Sequence, residues 1–250
     1  LFSKSEISNW ISGGQNNISN QKNPPNILLG SHDPLLELAV KQSKSGIAMS
    51  FDGSTEGLER FKLNQGIASG LHIYDSDLES WNVPIVKKCL EKQDFVLMEW
   101  AKRDRGLIYK PKEKSEKKSI NEFLGQRFVT RQSGSGSDNY FKYICKRENI
   151  NSSDFIGTEV TYTENDAVSL ILSDKADVTL GLASEAKKHQ LGFLHIVTER
   201  FDIVVNRISW FEKPFQRLLS FSRSDDFLNT ASNFFGYNIN DLGTVRFNNK

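Results

Sequence analysis

The chain has 250 residues, 38% of them hydrophobic and 25% charged, with a formal net charge of +1. A chain of this length buries one large core or two smaller ones, and this charge gives no overall attraction to nucleic acid or anionic lipid. No apolar run approaches the ~20 residues that cross a bilayer, so membrane insertion is not expected.

Residues 1–23 stand apart from the rest. FSKSEISNWI reads as a short helix capped by Ser3 or Ser5, with Ile7, Trp10 and Ile11 as its apolar stripe. SGGQNNISNQKNPPN reads as a linker. A helix this short is not stable alone. It is expected to dock on this domain or on a partner chain, as in a homodimer, or to be the remnant of a missing domain. The chain opens on Leu1 with no basic-then-apolar leader pattern, and reads as a fragment rather than a processed protein.

A strand–helix rhythm starts after Pro25. NILLGS is a strand, and DPLLELAVKQS a helix with Asp33 as N-cap and Pro34 at its first position. GIAMSFD, ASGLHIYD and DFVLMEWAKRDRGLIYK read as strands, the last long or broken; GSTEGLERFKLNQ and NVPIVKKCLEKQ read as helices. KPKEKSEKKS is a solvated loop of mixed charge. The rhythm then restarts: INEFLG helix, RFVTRQ strand, SGSDNYFKYICKREN helix, TEVTYT strand, NDAVSLILSD helix, DVTLGL strand, ASEAKKHQ helix, then GFLHIV and RFDIVVN as two strands and a helical tail. Apolar pairs such as Leu35, Leu36, Ala39, Val40 and Tyr140, Phe141, Ile144, Cys145 give helices that lie on one face of a sheet. Strands alternating with helices imply mainly parallel sheets, and the doubling implies two α/β lobes. The expected division is 24–103 with 200–250 as lobe I and 104–199 as lobe II. Cys89 and Cys145 fall on apolar helix faces and are expected to be buried thiols.

Four strand-to-helix junctions carry hydroxyls or glycine: GSHDP with Ser31 and His32, FDGSTEGL with Ser54 and Thr55, TRQSGSGSD with Arg131, Ser133, Ser135 and Ser137, and YTEND with Thr163. Helix starts present unpaired N–H groups and partial positive charge, so converging junctions can hold an anion without net positive charge. The same residue types also serve as ordinary N-caps. Asp52 and Glu56 would repel an anion unless turned away, and Arg131 can pair with Asp138 or clamp the ligand. SGSGS lacks a neighbouring base and is neither GxSxG nor a P-loop; with His32 the only histidine in these loops, no enzyme is expected. No CxxC or HExxH occurs, so no metal site and no cofactor are expected.

The motifs LLGSHDPLLELA, DGSTEGLERFKLNQGIASGLHIYD, WNVPIVKK, VTRQSGSGSD, TENDAVSLILSDKADVTLGL and ERFDIVV resemble the periplasmic-binding-protein-like domain of molybdate-type regulators, over residues 26 to about 206. TRQSGSGS is also similar to the Arg-containing loop of tungstate-binding solute receptors. LFSKSEISNWI looks like the end of an excisionase-type helix-turn-helix domain. The resemblance implies a type II two-lobed fold, an interlobe cleft, and ligand contacts from Arg131, Ser135 and Ser137. The family often has Thr-His where this chain has Thr163-Glu164, so an oxyanion there requires Glu164 to face outward. The function implied is an effector-sensing domain that binds molybdate, tungstate or a related oxyanion. It would be cytoplasmic and would reach DNA only through a further N-terminal domain. The alternative is an extracytoplasmic solute-binding protein of an ABC transporter.

Overall fold

In the computed structural model, residues 23–111 and 117–249 are described. Ile7, Trp10 and Ile11 lie outside them, as does the middle of the charged loop at 112–116.

One large mixed sheet runs through the molecule in the order β2-β1-β3-β10-β6-β9-β7-β8. At one end, β1 (Ile27–Gly30) pairs in parallel with β2 (Ala48–Phe51) and β3 (Ala68–Leu71). At the other, β7 (Arg127–Arg131) pairs in parallel with β8 (Ile156–Thr161) and β9 (Val178–Leu182). Between them lie β6 (Phe95–Tyr109) and β10 (Gly192–Asn206), 15 residues each and antiparallel to one another. The lower half of β10 pairs with β3 and the upper half of β6 with β9, so two strands serve both lobes. The expected parallel sets are thus present in both lobes, joined through an antiparallel centre into one mixed sheet.

The expectation of two strands at GFLHIV and RFDIVVN is corrected to the single β10. The polar Thr198-Glu199-Arg200 suggests a break, yet these residues keep their register opposite Asp104, Arg103 and Lys102. Bulges flank the segment, between His195 and Val197 and between Phe201 and Asp202. INEFLG is a 3-10 turn rather than an α-helix. A two-stranded hairpin, β4 (Tyr74–Asp75) with β5 (Ser80–Trp81), replaces the expected end of a strand and loop.

Alternation along the strands sends neighbours to opposite faces. Leu28 packs under α1 (Pro34–Gln42), α8 (Lys213–Phe221) and α9 (Asp225–Ala231), with Phe215, Leu218 and Phe227. Leu29 packs on the other face with Leu58 and Phe61 of α2 (Ser54–Lys62) and Val86 of α3 (Val83–Cys89). In the second lobe Phe128 faces Tyr140, Phe141 and Ile144 of α4 (Gly136–Arg147). Val129 faces Ala167, Val168 and Ile171 of α5 (Glu164–Leu172) and Ala186 of α6 (Ala183–Lys188). After β10 the short α7 (Arg207–Trp210) leads into α8. Cys145 is buried, but Cys89 is only half-buried, because it lies beside the Glu59 carboxylate at 3.4 Å on the rim of α3.

Gly106 sits in the last third of β6, against β10: a Cβ there would lie 2.0 Å from the Leu194 carbonyl oxygen. Gly106→Ala should force this pair apart at a cost of about 1–3 kcal/mol. At about 2–4 °C per kcal/mol for a chain of this size, a melting curve should fall by several degrees. An unchanged melting temperature would show that the crossing relaxes freely.

Candidate functional site

The C-terminal ends of β1, β3, β7 and β8 meet the midpoints of β6 and β10 between the lobes. A row of buried charges lies there, alternating in sign. The Asp33 carboxylate accepts from Arg103 Nη1 at 2.7 Å, and Arg103 Nη2 donates to Glu199 Oε1. Arg105 Nε donates to Glu199 Oε2 at 2.8 Å and its Nη2 to Glu164 Oε1 at 3.0 Å. Arg131 Nη1 closes the row 3.1 Å from Glu164 Oε1. Three carboxylates balance three guanidinium groups, as buried charges require.

Each end is anchored in secondary structure. Asp33 caps α1, accepting from Leu36 N–H, and also takes bonds from Trp100 Nε1 at 3.1 Å and Tyr237 Oη at 2.6 Å. Glu164 is the first residue of α5, which Thr163 caps in a reciprocal box with Asp166. The 3% exposure of Glu164 answers the sequence question: it faces inward, into the position where an oxyanion had been expected. Burial raises its carboxyl pKa, but the charges of Arg105, then Arg131 and Arg103, outweigh burial and bring it to about 2. Glu199 is likewise raised by burial and pulled well below the usual carboxylate range by Arg103, Arg105 and His72.

His72, at the end of β3, lies on this row. Its Nδ1 is 3.0 Å from Glu199 Oε2 and its Nε2 is 2.9 Å from Ser31 Oγ. Ser31 and His72 thus form a hydroxyl–imidazole pair away from SGSGS. His32 is the only histidine in the junction loops, but His72 reaches Ser31 from the end of the neighbouring β3. Burial, the largest influence, lowers the His72 pKa against the opposing pull of Glu199, so the ring is neutral at neutral pH.

The other expected residues divide. Ser54 Oγ accepts from His72 N–H at 3.1 Å, and Ser137 Oγ accepts from Arg105 Nη1 at 2.9 Å. Ser135 caps α4, accepting from Asp138 N–H at 3.1 Å, and its Cα lies 3.5 Å from where a Gly53 Cβ would stand. Ser31, Ser54, Ser135, Ser137 and Arg131 are therefore brought together at the lobe contact. Thr55 is exposed at the rim, opposite Gly134, and Ser133 is exposed on the same loop. Thr163 spends its side chain on the α5 cap. His32 turns away, its Nε2 2.8 Å from Glu37 Oε2 and its ring edge-on to Phe51. Arg131 pairs with Glu164 and donates to the Tyr162 carbonyl, while Asp138 pairs with Lys142. Asp52 points away from the site, bound to Arg60 and Ser50.

The lobes are in contact here. A Cβ on Gly136 would lie 2.4 Å from the His72 carbonyl oxygen and 2.5 Å from its ring, so only glycine lets α4 start this close to β3. Several polar atoms in the contact are buried without a hydrogen-bond partner: Glu164 Oε2, Gln132 Oε1 and Arg131 Nε. Native interiors leave few such atoms. Among the described residues, no cluster of histidine, cysteine and acidic side chains suits a metal, and no helix is long and apolar enough to cross a membrane.

A family model described as the PBP superfamily domain matches residues 35–223. The uncharacterized protein YvgK of Bacillus subtilis (strain 168) is 24% identical over 231 residues, covering 88% of this chain and 73% of that protein. Among solved structures, the chain is similar to a Clostridium perfringens protein described as a phosphate ABC transporter substrate-binding protein, with phosphate bound. The TM-score is 0.61 at 13% identity, covering 83% of this chain and 97% of that one. It is also similar to the effector-binding domain of QuiR in complex with shikimate (TM-score 0.53, 12% identity, covering 78% and 92%). A third similar structure is PEB3 bound to L-phospholactate (TM-score 0.53, 13% identity, covering 84% and 98%). At these identities the solved structures establish the fold.

The buried row ties stability to pH. Glu164 and Glu199 titrate lower in the folded chain than unfolded, so their contribution is complete above about pH 4.5 and drains away as pH falls toward 2. His72, lowered from 6.5, acts in the same direction, its contribution being lost as pH falls below that value. Asp202, raised by burial to about 6 against the pull of Arg200, opposes them: its contribution is complete below 3.8 and is lost as pH rises through 6. The chain should lose stability steeply below about pH 4.5, with net proton uptake on unfolding. Melting curves across pH check this, and a flat profile down to pH 3 would contradict the row as described.

Proposed function

We propose that this chain, which belongs to the PBP superfamily domain family, is a ligand-binding domain whose interlobe cleft takes a small oxyanion. One observation carries the reading: Arg105 and Arg131 converge at the start of α5 on the inward-facing Glu164 carboxylate, and an oxyanion takes that place when Glu164 turns outward. Arg131 Nε has no partner, and Ser54, Ser135 and Ser137 each accept one bond while keeping their own O–H uncommitted. The lobes part, the ion enters, and the donors that now satisfy protein groups turn to it.

Molybdate and tungstate are the ions that the resemblance of TRQSGSGSD suggests. An effector-sensing role within a DNA-binding regulator follows from that resemblance, and the similarity to the QuiR effector-binding domain is compatible with it. Delivery to a transporter is the other role this fold serves, and the two share the same binding step. The Ser31–His72–Glu199 row is read as a relay that orients the Ser31 hydroxyl for contact rather than for turnover.

Calorimetric titration with molybdate, tungstate, sulfate and phosphate tests the reading. Heat of binding with at least one is expected. Arg131→Lys should weaken it by about tenfold or more, because an ammonium cannot present two parallel N–H bonds. No heat with any small oxyanion would remove the proposal.

A further inference from the structure

We propose that the β4–β5 hairpin is a latch on lobe closure, set by a proton on Asp202. With the proton in place the hairpin stays seated and its rings hold lobe II; when the proton leaves, the stem loosens and the lobes part more readily. This concerns how the lobes are held together and does not depend on what the cleft takes.

The stem of the hairpin is fastened to β10. Ile73 and Asn82 flank it and bond each other twice: Asn82 N–H donates to the Ile73 carbonyl at 2.8 Å, and Ile73 N–H donates to Asn82 Oδ1 at 2.7 Å. Asn82 Nδ2 donates onward to the Arg200 carbonyl at 3.0 Å and to Asp202 Oδ2 at 2.8 Å. Asn82 does this from a left-handed backbone, φ 59°, which asparagine adopts more readily than most residues. Arg200 completes the joint. Its Nε donates to both Asp202 oxygens at 3.0 Å, and its Nη2 donates to the Trp81 carbonyl at 2.8 Å. Asp202 thus receives both the side chain that closes the stem and the arginine that holds Trp81.

The rings of the same hairpin reach lobe II. Trp81 lies against Tyr140 of α4 with centroids 5.3 Å apart, and Tyr74 touches both Tyr140 and Tyr143. Where the stem sits on β10 therefore sets how the rings meet α4.

A charge at Asp202 is unfavourable. The side chain is buried, and it lies opposite Glu99 of β6, which is buried as well. Glu99 gives Oε2 to Arg246 of the C-terminal strand Val245–Asn248. Its Oε1 is buried without a hydrogen-bond partner, Lys102 Nζ coming only to 3.9 Å. On the other side β3 presents the apolar Leu71. Burial is the largest influence and raises the Asp202 pKa; Arg200 and Asn82 lower it, Glu99 raises it further, and the balance is about 6. When the stem lifts, water reaches the carboxylate and its pKa falls toward 3.8. The seated state therefore keeps its proton to higher pH than the lifted one. Acid favours the seated latch, and seating weakens as pH rises through 6.

Hydrogen exchange of the chain followed by mass spectrometry at pH 5 and pH 8, corrected for intrinsic exchange rates, tests the latch. Residues 74–82 and the first turn of α4, 136–140, should open about tenfold more often at pH 8 than at pH 5. Both should open more often than β1, which exchanges only when the whole fold does. Asp202→Asn, which has no proton to lose there, should cut the pH response to below about twofold. Trp81→Leu keeps Asp202 but removes the ring, so 74–82 should keep the response and 136–140 should lose it. Melting curves establish that each variant is folded, and the parent comparison carries the proposal where one is not. Equal opening of the parent at the two pH values, or a hairpin that opens no more often than β1, would overturn the latch. So would a tenfold response that survives in folded Asp202→Asn. A response of 136–140 that survives in folded Trp81→Leu would overturn the coupling of the hairpin to lobe II.

Discussion

Alternating buried charge along Asp33, Arg103, Glu199, Arg105, Glu164 and Arg131 is the constraint on which the interlobe junction depends. Removing charges from water is costly, and each is tolerated only because the next neutralises it. The row crosses the molecule from the α1 cap in lobe I to the end of β7 in lobe II. Its central members stand on β6 and β10, the two strands that belong to both lobes. Loss of any one member strands its neighbours, so the lobes are coupled through the same residues that line their contact.

Closure is reinforced beside the row by aromatic rings. Tyr74 and Trp81 of the β4–β5 hairpin pack against Tyr140 and Tyr143 of α4, with centroids between 4.9 and 5.3 Å. Lobe I thereby grips the helix whose N-terminus forms one wall of the site. Gly136 removes the side chain that would otherwise hold α4 away from His72. Water is excluded from the donors and acceptors between the lobes, which sharpens their preference for a matching partner.

Much of the architecture was legible because local rules and packing agree. Asp33-Pro34, Ser135 and Thr163 read as helix starts, and each caps its helix. The apolar pairs of α1 and α4 read as sheet-facing stripes, and Leu35, Leu36, Tyr140 and Ile144 are buried. The stretch around Glu199 was misread, because polar residues inside a strand ordinarily mark its end. Here they continue the strand, since Arg103 and Arg105 hold Glu199, Asp104 holds Thr198 and Asp202 holds Arg200. The β4–β5 hairpin was missed for a similar reason: its strands are two residues long and stabilised by rings from the other lobe.

The sequence by itself determined the alternation of strands and helices, the caps, and the set of junctions that could face a ligand. These depend on residues within one or two turns of each other, where spacing alone dictates contact. Only the tertiary structure decided that Glu164 points inward and that His72 Nε2 meets Ser31 Oγ, 41 residues away in the chain. It alone decided that Glu199 sits between two arginines 94 and 96 residues distant. The direction of a polar side chain depends on which charges the folded chain brings beside it, and these come from strands far apart in sequence.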